Sequence, residues 1–580
     1  MSSVQNKFPS IDRDQWLAMV TSAMKNKNSK SLDRVDEDGL EIKALYEIQG
    51  HEIAATDKNT ATTCAITRLP VNPDTHLAHG WDICQPVGAA GPAEQTNRLI
   101  LDELNDGVGT IWLEQMPSAN LASNLPMMMR DVLLPAVGIH LDSGNDVMAH
   151  LGGFSTFANT QQKSLSDLRL WANIDPFAPD AELSLLDDGL EYLAQANAAD
   201  IPFGLFRTSG WAWHNCGMTA VQELAWVLAS LVEIMRGGME RGLDLSNLAS
   251  RLSASLALPA DLFDGIAKCR ALRRGWGGIV SALGLDPNTH RLFLQGAVSV
   301  RMFSLVDDEV NMLRTTTALL GGAIGGADQL SAHAHDCLGG NSAAGRRLAR
   351  MQQHLLIEES GLARSLDAAG GAGFIEARSD QLADAAWRHF QKIEADGGAK
   401  VAQMSSQFDL LAKKAASQRY ARLAAGDLSL VGVNLQPKGR PVASSLPRWR
   451  MLRRPAAAIE DLRRSAAQTP PRILLLENGK KSSPELVKLQ ALLAIGGIQP
   501  VQIHPDNINE QVVASVQPDL VILVEDNFEA LAPTVTAWLR DLQHKGKVIT
   551  VAAILGAAVP FEMLGNILGI NLEIYQEGNA

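Results

Sequence analysis

The sequence predicts an α/β protein: a TIM-type (β/α)8 barrel followed by a small Rossmann-like α/β domain. Three observations carry this reading. Eight short apolar runs between residues 81 and 336 alternate with helix-period segments, the count of a closed parallel barrel. A chain of 580 residues is too long for one core and asks for two or three domains. After residue 471 the pattern restarts as "PRILLLENGKKSSPELVKLQALL", a fully apolar strand, a polar loop and a helix. That is the opening unit of a parallel sheet buried on both faces. An open doubly wound sheet is the alternative for residues 81–336.

Residues 1–50 read as an arm, with a helix around 16–25 and then "DEDGLEIKALYEIQG". No core can be built from it alone, so it is expected on another surface, that of a partner chain. The barrel is assigned to 51–341. Its strands are placed on "WDICQPV" (81–87), "GTIWLEQ" (109–115), "PAVGIHLDS" (135–143), "LRLWANID" (168–175), "PFGLFRTS" (202–209), "RLSASLAL" (251–258), "RLFLQGAV" (291–298) and "ADQLSAHAHD" (327–336). Amphipathic helices lie between them, for example "VQELAWVLASLVEIMRGGMERG" (221–242) and "DLFDGIAKCRALRRGWGGIVSAL" (261–283). "GGAIGG" (321–326) sits inside a helix-period segment, so it points to close helix packing and not to a phosphate loop. Residues 342–470 are helical and then rich in Pro and Arg, a tether lying across an acidic barrel. Residues 471–580 form the second α/β domain.

Composition excludes several classes. The formal net charge of −13 argues against non-specific nucleic-acid binding. The start, "MSSVQNKFPSIDRDQW", has no apolar h-region, so no signal peptide is expected and the location expected is cytoplasmic. The most apolar stretch, 548–560, is too short for a membrane span. Cys64, Cys84, Cys216, Cys269 and Cys337 are scattered without a CxxC, as reduced packing residues are. "SAHAHD" (331–336) would place His333 and His335 on one face of a strand beside Asp336, the spacing of metal ligands. No third ligand has a suitable spacing, so the pair is read as locally hydrogen-bonded and no metal site is assigned.

Several stretches carry a resemblance. "NMLRTTTALLGGAIGGAD" (311–328), "LARMQQHLLIEESGLARSLDAAGGAGFIE" (348–376) with its EES and D-x-AGG-x-x-x-x-E, "RMLRRPAAAIEDLR" (451–464) and the "W…DGLEIKALY" arm are similar to segments of the methylmalonyl-CoA mutase family. The resemblance covers nearly the whole chain in the same order. It implies a barrel that threads a coenzyme A ester and a flavodoxin-like, cobalamin-type domain at residues 471–580. It also implies adenosylcobalamin-dependent radical isomerisation of an acyl-CoA carbon skeleton.

The residues that would do this chemistry depart from the family's pattern. Members that bind cobalamin carry Asp-x-His-x-x-Gly after the first strand of the C-terminal domain, the imidazole being cobalt's lower ligand and the aspartate its orienting partner. Here the loop reads Glu477, Asn478, Gly479, Lys480 and supplies none of these. A later Gly-Gly turn that lies against the cofactor's nucleotide tail appears as Ala552 and Ala553, whose methyl groups intrude. His504 follows the second strand and is read as a surface or capping residue. Catalytic members carry "SGYH" at the fifth barrel strand, where this chain has "TSGWAWHNCG" (208–217). Trp211 stands at the tyrosine position and Ala212 at the histidine position. His214 returns to the same face if the segment is a strand, and is the one candidate to substitute. The family's "RTHxQTSG" appears as "RMFSLVDD" (301–308). Trp211, Met302, Phe303 and Leu305 are therefore expected to fill and close the barrel axis.

The resemblance so altered implies a non-catalytic chain of a heterodimeric, adenosylcobalamin-dependent acyl-CoA mutase. No cofactor would be bound by this chain, and both adenosylcobalamin and the chemistry would reside in a larger catalytic subunit. An acyl-CoA is a further candidate ligand; nucleic acid and membrane are not. Two other readings stand beside it: a mutase barrel working with a separate cobalamin protein, and an acyl-CoA-binding regulatory module.

Overall fold

The computed structural model describes residues 11–24, 32–46, 80–116, 121–437, 451–468, 470–476, 484–503, 518–523, 540–541 and 548–550. Eight parallel strands close into a barrel: β1 (Asp82–Gly88), β2 (Thr110–Glu114), β3 (Gly138–Leu141), β4 (Arg169–Ile174), β5 (Gly204–Ser209), β6 (Leu252–Leu258), β7 (Phe293–Val298) and β8 (Gln329–Ser331). β8 returns to β1, with Gln329 opposite Asp82. The open-sheet alternative is thereby excluded. Residues of β2, β3, β5 and β6 are buried throughout, as they must be when one face lines the axis and the other meets helices.

The eighth strand is shorter than its alternation suggested. It stops at Ser331, so His333 and His335 stand in the following loop and do not share a strand face. Asp336 instead accepts from the amide of Ser342. Among the described residues no group of three or more His, Cys, Asp or Glu is arranged to hold a metal ion. Cys84, Cys216, Cys269 and Cys337 are all buried.

The helices that position the mouth are α1 (Gly210–Asn215), α2 (Ala220–Glu240), α3 (Leu262–Ala282), α4 (Val310–Ile324), α5 (Gly373–Ala395), α6 (Gln407–Ala425) and α7 (Ala457–Gln468). α2 opens on a capping box between Thr219 and Gln222 and α3 on Asp261, which accepts from Phe263 and Asp264. Each satisfies amides that would otherwise be orphaned. The glycines of "GGAIGG" serve close packing. A Cβ on Gly325 would stand 3.0 Å from both Cys269 Cβ and Ile266 Cα of α3. The D-x-AGG-x-x-x-x-E stretch is likewise structural here. The guanidinium of Arg270, on α3, pairs with Asp367 and with Glu376, and Glu376 accepts from Gly371 N at 2.9 Å.

Within the arm, residues 32–46 lie on their own chain. Three successive acids bind three different helices. Asp36 pairs with Arg378 of α5 at 2.6 Å, and Glu37 with Arg419 of α6 at 2.6 Å. Asp38 accepts from Thr219 and from Val221 N at the start of α2. The helix Arg13–Ala23 has no buried residue.

A second core joins α6, α7 and the C-terminal sheet through Tyr420, Leu423, Ile459, Leu462, Ile473, Leu475, Leu493 and Ile522. Among the described residues this sheet has four parallel strands in the order β10–β9–β11–β12, with β9 Ile473–Leu476, β10 Val501–Ile503, β11 Leu520–Leu523 and β12 Val548–Thr550. Ile473, Leu474 and Leu475 of β9 are buried, and burying each contributes roughly 1.5–3 kcal/mol. Among the described residues no helix is long and apolar enough to cross a membrane.

Candidate functional site

Strands of a parallel barrel point their carboxyl ends at one mouth, and side chains there face a shared chamber. β5 ends at Ser209, whose Oγ caps α1 by accepting from Ala212 N at 3.2 Å. Gly210 is required at this turn, because a Cβ would meet Ser255 O of β6 at 2.9 Å. The stretch holding Trp211, Ala212 and His214 is thus a helix and not a strand. Residues two apart on a helix point in nearly opposite directions. The same-face argument for His214 fails for that reason.

Trp211 faces the axis. Its indole N–H donates to Val298 O at 3.0 Å, and its ring packs edge-on to Trp112 at 5.4 Å and stacks on His333 at 5.8 Å. His333 in turn bonds Glu114 Oε1 at 2.8 Å. His214 points behind the barrel wall. Its Nδ1 meets Glu223 Oε2 at 2.9 Å and its Nε2 meets Ser299 Oγ at 3.0 Å. Burial, then Arg301 and Lys268, hold its pKa well below the usual range, so it is a neutral imidazole donating from Nδ1–H and accepting at Nε2. Lys268 Nζ donates to the same Glu223 oxygen at 2.6 Å and to Ala257 O at 2.7 Å. The other Glu223 oxygen accepts from Ala257 N at 2.8 Å.

The axis is not filled. A cavity of about 490 Å³ opens at the mouth, lined by Trp112, Asp142, Asn173, Asp175, Arg207, Trp211, Ala212, Asn215 and neighbours. Met302, Phe303 and Leu305 do not line it. Phe303 is wholly buried in the core instead, in the turn that follows β7, and its carbonyl accepts from Arg454 at 3.2 Å. The expectation of a closed axis is corrected accordingly: apolar residues gathered beside the mouth, not across it.

Among the described residues Arg207 is the one cation of this lining. Its guanidinium lies 5.6 Å over the Trp112 ring and 3.9 Å from Asp142, with Gln295 Oε1 at 3.5 Å. Below it, His140 bonds Asn173 and stacks on Trp171 at 4.5 Å. Burial, with Arg207 adding, pushes His140 down to about 3. Burial pushes Asp175 up to about 7, against Arg207 and the amides of Ser209 and Phe177. Met451 and Leu452 form the chamber's roof. They are pinned where Arg453 N donates to Asn215 O at 2.9 Å and Arg453 bonds Cys216 O and Asp409.

Of the site positions read from sequence, Trp211 and Ala212 share this chamber and His214 does not. Glu477, Asn478, Gly479, Lys480, His504, Ala552 and Ala553 lie outside the described residues. Sequence reasoning missed Asp142, Asn173, Asp175 and Arg207. All four stand near the carboxyl ends of strand runs that it had placed, which is the signal that finds them.

A closed parallel barrel with its polar chamber at the carboxyl ends of the strands defines the class: a (β/α)8 barrel protein. The family model described as methylmalonyl-CoA mutase matches residues 160–471. A Mycobacterium bovis protein named probable methylmalonyl-CoA mutase small subunit is 33% identical over 463 residues, covering 76% of this chain and 74% of that one. The methylmalonyl-CoA mutase small subunit of Streptomyces virginiae is 32% identical over 410 residues, 68% of this chain and 65% of that one. The large subunit of the same organism is 28% identical over 466 residues, 73% and 62%. The chain belongs to the methylmalonyl-CoA mutase family.

Proposed function

We propose that this chain is a non-catalytic subunit of an adenosylcobalamin-dependent acyl-CoA mutase, the methylmalonyl-CoA/succinyl-CoA isomerase, with the chemistry in a larger partner chain. The observation that carries the reading is the mouth of the barrel. Where catalytic relatives are expected to present Tyr-His, this chain presents Trp211 and Ala212, and its nearby His214 is bound behind the wall by Glu223 and Ser299. An imidazole held there cannot polarise a thioester in the chamber. Similarity to proteins named small subunit supports the same assignment.

On this reading the chain divides into an arm (1–50), the mutase barrel (51–341), a helical segment with linker (342–470) and a degenerate, flavodoxin-like cobalamin-type domain (471–580). The residues present do not fit cobalamin: Glu477, Asn478, Gly479 and Lys480 offer no imidazole to cobalt. What this chain's groups do is hold a barrel and a sheet together beside a catalytic twin. The exposed helix Arg13–Ala23 is the half of the arm left to touch that twin. Eleven residues are too few for a helix to be stable alone in water.

The test separates the two chains. The isolated chain, given adenosylcobalamin and methylmalonyl-CoA, should give no turnover and no cobalamin spectrum change. Mixed at micromolar concentration with a larger subunit carrying Asp-x-His-x-x-Gly, it should form a stable complex. Isomerisation by the isolated chain, or no complex, would overturn the reading.

A further inference from the structure

Two polar groups at the barrel mouth are buried and incompletely bonded. Arg207 is 6% exposed, yet its closest polar neighbours stand at 3.5 and 3.9 Å and its Nε has no partner. Asn215, also 6% exposed, accepts at Oδ1 from Arg301 N at 3.0 Å, while its Nδ2 has no partner. Both residues line the 490 Å³ chamber. Buried donors without acceptors are costly, and a native site that keeps them is commonly completed by something else.

The rest of the lining says what completes it. Asp142, Asp175 and Asp180 share the chamber with Arg207. A polyphosphate or a lone carboxylate would satisfy Arg207 but face three carboxyl groups. A lone cation would suit the acids and leave the guanidinium unmet. Trp112 and Trp211 add apolar ring surface to the same lining, Trp112 directly under the Arg207 guanidinium.

We propose that the mouth binds a small zwitterion, its carboxylate on Arg207 and Asn215 Nδ2, its ammonium among Asp142, Asp175 and Asp180, and its carbon chain against Trp112 and Trp211. The size of the chamber suits an extended amino acid and leaves room for ordered water. This inference goes beyond the subunit assignment and does not depend on it. A chain that fails to join a larger subunit can still bind the zwitterion, and the reverse.

The test is calorimetric titration of the full chain with 6-aminohexanoate, using hexanoate and hexylamine as single-charge counterparts. Saturable one-to-one binding of 6-aminohexanoate is expected, with each counterpart weaker by about tenfold or more. Arg207→Met should weaken 6-aminohexanoate by about tenfold or more. Asp142→Asn, at a side chain 42% exposed and so safe for folding, should weaken 6-aminohexanoate and not weaken hexanoate, since it removes a negative charge beside Arg207. Circular dichroism checks that both variants are folded. Equal affinity for hexanoate, binding unaltered in both folded variants, or no saturation in the millimolar range would each overturn the proposal.

Discussion

Two clusters of buried polar groups lie on either side of the short helix Gly210–Asn215. Behind it, His214, Glu223, Lys268 and Ser299 bond one another and the Ala257 backbone, and both carboxylate oxygens, the ammonium and both ring nitrogens are engaged. In front of it, Arg207 and Asn215 retain donors with no partner. Both clusters are equally hidden from solvent. Burial alone therefore does not separate scaffold from site, and neither do unbonded donors alone, since Arg270 and Arg378 of the framework have them too. What sets the front cluster apart is that its unbonded donors face a chamber able to admit a ligand.

Mutation can break that contrast or sharpen it. Glu223→Ala should have the largest effect, because it strands Lys268, 1% exposed, inside the barrel wall. A loss of about 3–5 kcal/mol in urea unfolding is expected; a loss under about 1 kcal/mol would erase the distinction between the clusters. Gly217→Ala comes next. This residue, just past the helix, has φ +124°, and a Cβ would meet the Ala412 carbonyl at 2.3 Å. A cost of about 1–3 kcal/mol by thermal unfolding is expected.

The third prediction concerns pH. Burial raises the folded-state pKa of Asp175 to about 7 from its ordinary value of 3.8. Its protonation therefore favours the fold below about pH 4, and this contribution is lost as pH rises through 7. Since Asn does not titrate, the melting temperature of Asp175→Asn relative to the parent should climb between pH 4 and 8. A flat difference would place Asp175 in an ordinary solvated setting. Arg207→Met should have the smallest effect, under about 1 kcal/mol by urea unfolding, because few bonds are lost and an apolar stem replaces them. A loss as large as that of Glu223→Ala would make the two clusters alike.

The barrel was legible in the sequence because strands buried on both faces leave continuous apolar runs, and seven of the eight runs end within three residues of the observed strand. "SAHAHD" misled because its alternation is perfect while the chain is already leaving the sheet; the period cannot reveal where pairing stops. "GWAWHN" misled differently. Six residues give less than two helical turns, too few to show a 3.6-residue period, so the direction of His214 was lost with the helix. Arg207 was passed over inside "PFGLFRTS", since a charge in a strand run is informative only once the barrel has closed around it. The roof of Met451 and Leu452 rests on contacts between residues far apart in the chain, which no local pattern records.

The three acids of the arm set a clock on the molecule's making. Asp38 waits for a partner 181 residues further on, Asp36 for one 342 residues away and Glu37 for one 382 residues away. At about 5–20 residues per second, the arm is out of the ribosome roughly 20–80 s before its last seat exists. The three seats are not made together. That of Asp38 exists before β6, β7 and β8 are synthesised, whereas those of Asp36 and Glu37 follow β8. The arm can therefore fasten only in stages: one acid before the barrel has all its strands, two after.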